Sequence, residues 1–142
     1  MLIYMHIMET FSIAKTTKER IPDIPFAHLK ELTLGKKFNC SLAFVGNKRA
    51  QTLNRIYRAK EYTPNTLSFS LDDENGEVFI NLKEAAMQCK KREESYEYYV
   101  ALLFVHSCLH LKGMEHSDIM DTMMERILKR ANIKNLFRPK AQ

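Results

Sequence analysis

Three histidines in the last third of the chain have spacings that suit a metal ion: His106, His110 and His116. His106 and His110 are four residues apart, so on a helix their side chains share one face. Gly113 follows them, and a glycine there permits the left-handed backbone that ends a helix and turns the chain back. This turn would bring His116 to the other two imidazoles from a different direction.

Imidazole nitrogens are typical ligands of zinc, and nickel or copper accept the same ligands. Three protein ligands leave one position of a tetrahedron open, which is the arrangement of catalytic rather than structural zinc. We therefore predict one Zn²⁺ per chain, bound by His106, His110 and His116. The alternative interpretation is that the first two are hydrogen-bonded core residues and that His116 is a surface residue of the turn.

The segment that carries the first two histidines predicts a buried helix. Residues 98–111 contain no formally charged side chain, Ser95 is a suitable N-cap, and Glu97 lies in the first turn. A helix that is apolar on every side belongs in the interior of a globular protein. Its length is below the roughly 20 residues that a membrane span needs. We interpret it as the central helix of the fold.

The same spacing occurs in metalloproteases with the pattern H-E-x-x-H-x-x-G-x-x-H, but their general base is a Glu directly after the first His. Ser107 occupies that position here, which argues against a peptidase of this type. The residues present, H-S-C-L-H-L-K-G-M-E-H, instead resemble the H-G-x-L-H-L-x-G-Y-D-H signature of the YbeY family of ribosomal-RNA maturation endoribonucleases. All three histidines and the glycine are kept, whereas Ser107, Met114 and Glu115 replace Gly, Tyr and Asp.

A second segment, residues 53–69, is similar to the same family. The family has L-N-x-x-Y-R, a short polar link and then T-D/N-V-L-S-F. Pro64 and Thr66 depart from this pattern, and residues 76–82 echo the strand that follows it. The matching residues are Leu53, Asn54, Tyr57, Arg58, Asn65, Leu67, Ser68 and Phe69.

The resemblance implies a zinc-dependent, single-strand-specific endoribonuclease that matures the 3′ end of small-subunit rRNA and acts in ribosome quality control. It makes Arg58 and His110 the predicted catalytic residues, with Arg58 beside the metal. A guanidinium can hold two phosphate oxygens at once as charge develops on them. Alternatively, Arg58 is a solvated residue at a helix C-terminus, where the helix dipole favours a cation.

The nucleophile and the general base stay open at this stage. Zinc lowers the pKa of a bound water to about 7, so hydroxide could attack phosphorus, or a ribose 2′-hydroxyl could do so. Glu115 is a candidate base or a support for a metal ligand. Ser68 either contacts the substrate or is the outward side chain of an alternating strand.

Charge is distributed unevenly along the 142 residues, whose net charge is +5. Residues 1–60 carry eleven Lys and Arg against four Asp and Glu, whereas residues 61–100 carry four against nine. A basic part of this kind attracts polyanions. The predicted partners are single-stranded RNA or rRNA and, from the resemblance, a ribosome or small-subunit precursor, with no membrane partner.

Three cysteines without a C-x-x-C motif indicate neither a disulfide framework nor a sulfur zinc site. Reduced thiols and the lack of a signal peptide predict a cytoplasmic protein. The apolar opening MLIYMHIM is interpreted as a first strand.

Hydrophobic periodicity predicts the remaining elements. We expect a single α+β domain, residues 1–142, with a mixed sheet of about four strands and helices packed around the buried central helix that carries two metal-binding histidines. The second helix, which Asn47 would cap, should turn Leu53, Ile56 and Tyr57 inward, and the last helix should turn Ile119 inward. Strands are expected at 2–8, 38–45, 66–71 and 77–82, and helices at 26–34, 48–58, 83–91, 98–111 and from 117.

Two other functions remain open. One is a non-catalytic ribosome-assembly factor whose metal only joins the helix to the turn. The other is a different metal-dependent hydrolase that acts on a peptide, an ester or a small phosphoester.

Overall fold

The structure is a computed structural model that describes residues 3–8 and 10–140, and within these residues it contains five strands and five helices. The strands are β1 (Ile3–Met8), β2 (Phe11–Lys15), β3 (Asn39–Val45), β4 (Thr66–Asp72) and β5 (Asn75–Asn81). The helices are α1 (Phe26–Leu34), α2 (Asn47–Arg58), α3 (Leu82–Lys91), α4 (Tyr96–Leu111) and α5 (Asp118–Arg130). The predicted α+β class is confirmed.

The described strands form one sheet in the order β1-β2-β3-β5-β4. β1 and β4 run antiparallel to their neighbours, whereas β2, β3 and β5 are mutually parallel, so the sheet is mixed as predicted. The strand additional to the four expected is β2, a five-residue segment in which Phe11 and Ala14 are buried. Its short alternating pattern is a weak signal, because a five-residue strand is specified mainly by its neighbours in the sheet.

Alternating side chains divide β3 between two faces of the sheet. Leu42 and Phe44 belong to the main core, together with residues of α1, α3, α4 and α5. Ala43 and Val45 pack with Ala50 of α2 in a smaller cluster. The period of two along a strand therefore places four helices on one face and α2 on the other.

α4 lies at the centre of the main core, as its composition predicts. Ten of its sixteen residues are buried, and the Ser95 hydroxyl caps it by accepting a hydrogen bond from the Tyr98 amide at 3.2 Å. None of the helices in the described part of the chain has the length and apolarity required to cross a membrane.

Three sequence expectations about the helix faces are wrong. Ile56 and Tyr57 are 63% and 67% exposed, because α2 contacts the sheet only through a narrow side on which Ala50 and Asn54 are buried. Ile119 is 74% exposed, because the buried stripe of α5 begins one residue later, at Met120.

The cap of α2 also differs from the expectation. Gly46 is the N-cap, and Asn47 lies inside the helix. The Asn47 side-chain oxygen accepts a hydrogen bond from the Asn81 amide at 2.8 Å. Asn47 therefore joins α2 to the end of β5 instead of capping its own helix.

The cysteine interpretation agrees with the described residues. Cys40, Cys89 and Cys108 are free thiols, and all three are buried.

Phe104 of α4 packs against α1 and β2, so a substitution of Phe104 tests this core directly. Its ring lies edge-on to Phe26, with centroids 5.4 Å apart, and 6.0 Å from Phe11. We expect Phe104→Ala to lower the free energy of unfolding by about 3–5 kcal/mol, because it leaves a cavity in a fully packed site. Urea denaturation measures this loss. Met87→Ala is the control, because Met87 is 51% exposed, and it should change the free energy of unfolding by less than about 0.5 kcal/mol. Equal losses of stability in the two variants would contradict the assignment of α4 to the core.

Candidate active site

A cleft of about 420 Å³ runs along β4, the edge strand of the sheet. α4 borders it on one face of the sheet with His106 and His110, and α2 reaches it from the other face with Arg58 at its C-terminal end. The structure thus places the two helical histidines and the predicted catalytic arginine around one cavity. The cleft is lined by Arg58, Asn65, Thr66, Leu67, Ser68, Ser70, His106, Ser107, His110 and Leu111.

The two helical imidazoles face each other in a way that suits a shared cation. Their Nε2 atoms are 2.9 Å apart. Ligand nitrogens about 2.0 Å from a tetrahedral zinc are separated by roughly 3.3 Å, so the observed distance is close to one edge of such a site. His110 Nδ1 is 2.9 Å from the Met114 carbonyl oxygen. Because a carbonyl only accepts, Nδ1 carries the proton, and His110 Nε2 offers a lone pair.

His116 lies beside this pair. Gly113 has φ 99°, in the left-handed region expected of it, and the chain turns back after α4. The His116 ring centroid is 6.0 Å from that of His106. In the described part of the chain, however, no three His, Cys, Asp or Glu side chains are grouped closely enough to hold a metal ion as they stand. The structure pairs His106 with His110 and places His116 near His106, and the three-ligand metal site stays a prediction.

His106 is suited to be a neutral ligand. Burial is the main cause that lowers its pKa to about 4, and the neighbouring imidazoles of His110 and His116 act in the same direction. The ring is therefore uncharged at neutral pH, and an uncharged imidazole is the form that binds metals.

Ser107, which occupies the position of the metalloprotease Glu, is a structural link. It is 1% exposed, and its hydroxyl is 2.7 Å from the Thr66 hydroxyl. Thr66 donates to the Phe79 carbonyl oxygen at 3.1 Å, so Ser107 is the donor to Thr66. This bond ties α4 to β4 directly beside the histidines and fixes the floor of the cleft.

Arg58 is exposed but held in place by two contacts. Its guanidinium donates to the Asn54 side-chain oxygen at 3.3 Å and to the Tyr62 hydroxyl at 3.4 Å. Asn54 is fully buried, and its amide nitrogen donates to the Tyr62 carbonyl oxygen at 2.9 Å. Asn54 therefore orients both Arg58 and the following loop, a role that a match to a family pattern alone does not reveal.

A second cavity, of about 550 Å³, meets the cleft at Asn65, Thr66 and His106. His116 lines this cavity rather than the first, together with Asp121 of α5. The Asp121 carboxylate is close enough to raise the pKa of His106 slightly against the stronger lowering effects. Sequence reasoning missed Asp121; its position in the first turn of the helix after His116 was the available signal. Glu115, the residue considered instead, is exposed, and Ser68 lines the cleft.

Comparison with known proteins identifies the family of the chain. The family model of Endoribonuclease YbeY matches residues 5–133. The Endoribonuclease YbeY of Alkaliphilus metalliredigens is 36% identical over 107 residues, covering 68% of each chain. That of aster yellows witches'-broom phytoplasma is 37% identical over 116 residues, covering 72% of this chain and 80% of the relative. That of Carboxydothermus hydrogenoformans is 41% identical over 91 residues, covering 61% and 64%.

The fold has a relative among solved structures. A Thermotoga maritima protein determined in solution superimposes with a TM-score of 0.58 at 19% identity, covering 74% of this chain and 77% of that one. At this identity the likeness concerns the fold alone. The chain belongs to the YbeY family of endoribonucleases. The resemblance inferred from the two segments is thereby confirmed, and with it the class of enzyme.

The tautomer of His110 is a testable consequence of the turn. We expect the metal-free protein to carry the His110 proton on Nδ1, because the Met114 carbonyl oxygen can only accept. Long-range ¹H–¹⁵N correlation spectra of the imidazoles measure this directly. A proton on Nε2 would contradict the proposed orientation of the ring.

Proposed function

We propose that this chain is a zinc-dependent, single-strand-specific endoribonuclease that acts in the cytoplasm in rRNA maturation at the 3′ end of the small-subunit rRNA and in ribosome quality control. The main support is the cleft that has the Arg58 guanidinium on one wall and the paired His106 and His110 imidazoles on the other, in a member of an endoribonuclease family. The proposed partners are single-stranded rRNA and the ribosome or a small-subunit precursor.

The donor atoms of the site fit zinc. With its proton on Nδ1, His110 offers the lone pair of Nε2, and Nε2 of the neutral His106 lies 2.9 Å away. We propose that His106, His110 and His116 hold one ion, which nickel or copper could replace. When bound, zinc supplies Lewis-acid chemistry: it polarises an oxygen and makes water a stronger nucleophile at neutral pH. The hydrogen bond from His110 Nδ1 to the Met114 carbonyl fixes the orientation of this ligand.

Arg58 supplies the complementary charge. The phosphodiester would lie in the cleft with its non-bridging oxygens toward the guanidinium, which can donate two parallel hydrogen bonds to them. Asn54 and Tyr62 hold the guanidinium before the substrate arrives, so little reorganisation is needed as charge develops in the transition state.

Exposed aromatic rings beside Arg58 suit an unpaired strand. Tyr57 and Tyr62 are 67% and 56% exposed, and the Tyr57 ring is 5.5 Å from that of Phe69. Unstacked bases bind to such rings, whereas bases in a duplex are not available. This arrangement supports the proposed preference for single strands.

A basic groove of about 660 Å³ lies at the other end of α2, where β2 and β3 end. Lys18, Lys48, Arg49 and Lys83 line it with a single carboxylate, Glu19. Such a concentration of cations suits the phosphates of a long RNA. We propose that it holds the backbone of the substrate away from the scissile bond.

The role of Arg58 is tested by cleavage of an end-labelled single-stranded RNA. We expect Arg58→Ala to lower kcat by about 10²–10³, as removal of a preorganised donor to the transition state does. Arg58→Lys should retain part of the activity, because an ammonium keeps the charge but loses the paired donors.

Arg55→Ala is the matched control, since it removes the same charge from the same helical turn but not from the cleft. It should cut nearly as well as the wild type when both carry zinc. If Arg58→Ala and Arg55→Ala cut alike, Arg58 is structural. If no protein cuts but all bind ribosomes, the chain is an assembly factor rather than a nuclease.

The metal is tested with two glycine variants. Gly113 and Gly35 both have positive φ, 99° and 84°, and an added Cβ meets no atom within 4 Å at either. Gly113→Ala should cost about 1–2 kcal/mol of backbone strain. Gly35→Ala should cost about 1–3 kcal/mol, because its ψ of 173° lies in a region that almost only glycine adopts. Because only Gly113 lies between His110 and His116, Gly113→Ala alone should weaken zinc binding, by about tenfold.

Zinc titration by calorimetry measures this, and chelation followed by RNA cleavage gives the functional counterpart. We expect chelated wild type to stay folded, to lose cleavage and to regain it with zinc. Equal zinc affinity of the two glycine variants would argue against the three-histidine site. Melting of the chelated protein would indicate a structural metal.

A further inference from the structure

A fixed chain of hydrogen bonds holds Asn65 at the point where the two cavities meet. Gln88 Nε2 donates to the Glu84 carboxylate at 3.0 Å. Gln88 Oε1 then accepts from the Tyr99 hydroxyl at 2.6 Å and from Asn65 Nδ2 at 2.9 Å. Asn65 Nδ2 also donates to the Tyr99 hydroxyl oxygen at 3.1 Å.

The direction of each bond in this chain follows from the chemistry of its groups. A carboxylate only accepts, so Glu84 requires the amide nitrogen of Gln88 and turns the Gln88 oxygen toward Asn65. That oxygen requires donors, and the Asn65 amide nitrogen and the Tyr99 hydroxyl supply them. Burial raises the pKa of Tyr99, so its hydroxyl keeps the proton that it donates. Both hydrogens of the Asn65 amide are therefore committed to Gln88 and Tyr99.

The polar atom of the Asn65 side chain that this network leaves over is the acceptor Oδ1. Asn65 lines both cavities, next to Thr66 and His106. Its backbone is fixed by a hydrogen bond from the Asn81 amide to the Asn65 carbonyl at 2.8 Å. Among the described residues no buried side-chain oxygen or nitrogen lacks a partner, so Oδ1 is an accessible acceptor rather than an unsatisfied core atom.

We propose that Asn65 Oδ1 accepts a hydrogen bond from a ribose 2′-hydroxyl of the nucleotide bound at the histidines, and that this contact favours RNA over DNA. The inference rests on the proposed function and specifies how the same cleft recognises its substrate. A 2′-hydroxyl is the group by which a protein distinguishes the two nucleic acids at a given site.

Two features favour the ribose over a base as the donor. The phosphate lies between Arg58 and the histidines in the proposed function, and the 2′-hydroxyl is the donor of a nucleotide nearest to its phosphate. Bases, by contrast, are drawn to the exposed rings of Tyr57 and Tyr62. Asn65 Oδ1 is an acceptor without a donor in the same cleft as the histidines. The ribose 2′-hydroxyl is therefore the donor that fits it.

The test uses a single-stranded RNA and a set of copies that each carry one 2′-deoxy nucleotide near the scissile bond. Cleavage gives kcat/KM for each oligonucleotide. Competition against the labelled RNA gives an inhibition constant, so a position whose 2′-hydroxyl is itself the nucleophile still yields an affinity. The proteins are wild type, Asn65→Ala and Tyr99→Phe, each shown to be folded and to carry zinc.

At one position, the deoxy substitution should lower the affinity of the wild type for the oligonucleotide about tenfold. This is the effect of one hydrogen bond in a partly buried site. For the all-RNA substrate, Asn65→Ala should lower kcat/KM and affinity by a similar factor. For this variant, the deoxy substitution at the same position should then cost less than about a further twofold. Tyr99→Phe removes one of the two acceptors that hold the Asn65 amide but keeps Gln88 and Oδ1, so it should reduce the wild-type ratio between the two substrates by less than Asn65→Ala does.

Equal deoxy penalties in the wild type and Asn65→Ala at every position would overturn the inference; they would mean that Asn65 orients water or only shapes the pocket. A larger reduction of the ratio in Tyr99→Phe than in Asn65→Ala would also overturn it. A wild type that binds RNA with the expected ratio but never cuts it would overturn the proposed function and leave the Asn65 contact standing. A wild type that neither cuts nor distinguishes the copies would overturn both.

Discussion

The burial of α4 is the constraint on which the rest of the structure depends. Ten of its residues are inside the core, so the helix has no freedom to rotate or slide without opening cavities. His106 and His110 are on its partly exposed side, where the edge strand β4 leaves a cleft. Because the apolar faces of the helix are fully packed, the two imidazoles are presented in one direction and at one separation, 2.9 Å between Nε2 atoms. The hydrophobic core thereby sets the geometry of a polar site.

The polar site is in turn fixed by hydrogen bonds that come from three different elements. Ser107 on α4 is tied to Thr66 on β4, Asn54 on α2 holds Arg58, and Gln88 on α3 holds Asn65. Each bond joins a group in or beside the cleft to a partner whose own direction is determined by a carbonyl or a carboxylate. Fully satisfied networks of this kind are rigid in a low-dielectric surrounding. Donors and acceptors are thus arranged before a substrate binds, which is the condition for electrostatic stabilisation of a transition state.

The edge position of β4 explains why elements from both faces of the sheet contribute to one cleft. A central strand would be covered by neighbours on both sides, whereas an edge strand leaves room for side chains to approach each other past its open side. Arg58 comes from the face that carries α2, and the histidines come from the face that carries α4. The Arg58 guanidinium and the paired imidazoles can therefore line the same cleft without being neighbours in the sequence.

The sequence by itself determined the local features: the buried helix with its Ser95 cap, the left-handed turn at Gly113, most strands and the three histidines. These follow from periodicity and from residues with specific backbone preferences, which act over a few neighbouring positions. The two family-like segments also singled out Arg58 as a candidate catalytic residue. Only the tertiary structure decided that Ile56, Tyr57 and Ile119 are exposed and that β2 joins the sheet. It also decided that Asn54 holds Arg58, that Gln88 holds Asn65 and that Asp121 lines the second cavity. The reason is that which side of a helix is covered, and which distant polar groups become partners, depends on packing between elements far apart in the chain, and no local pattern encodes that arrangement.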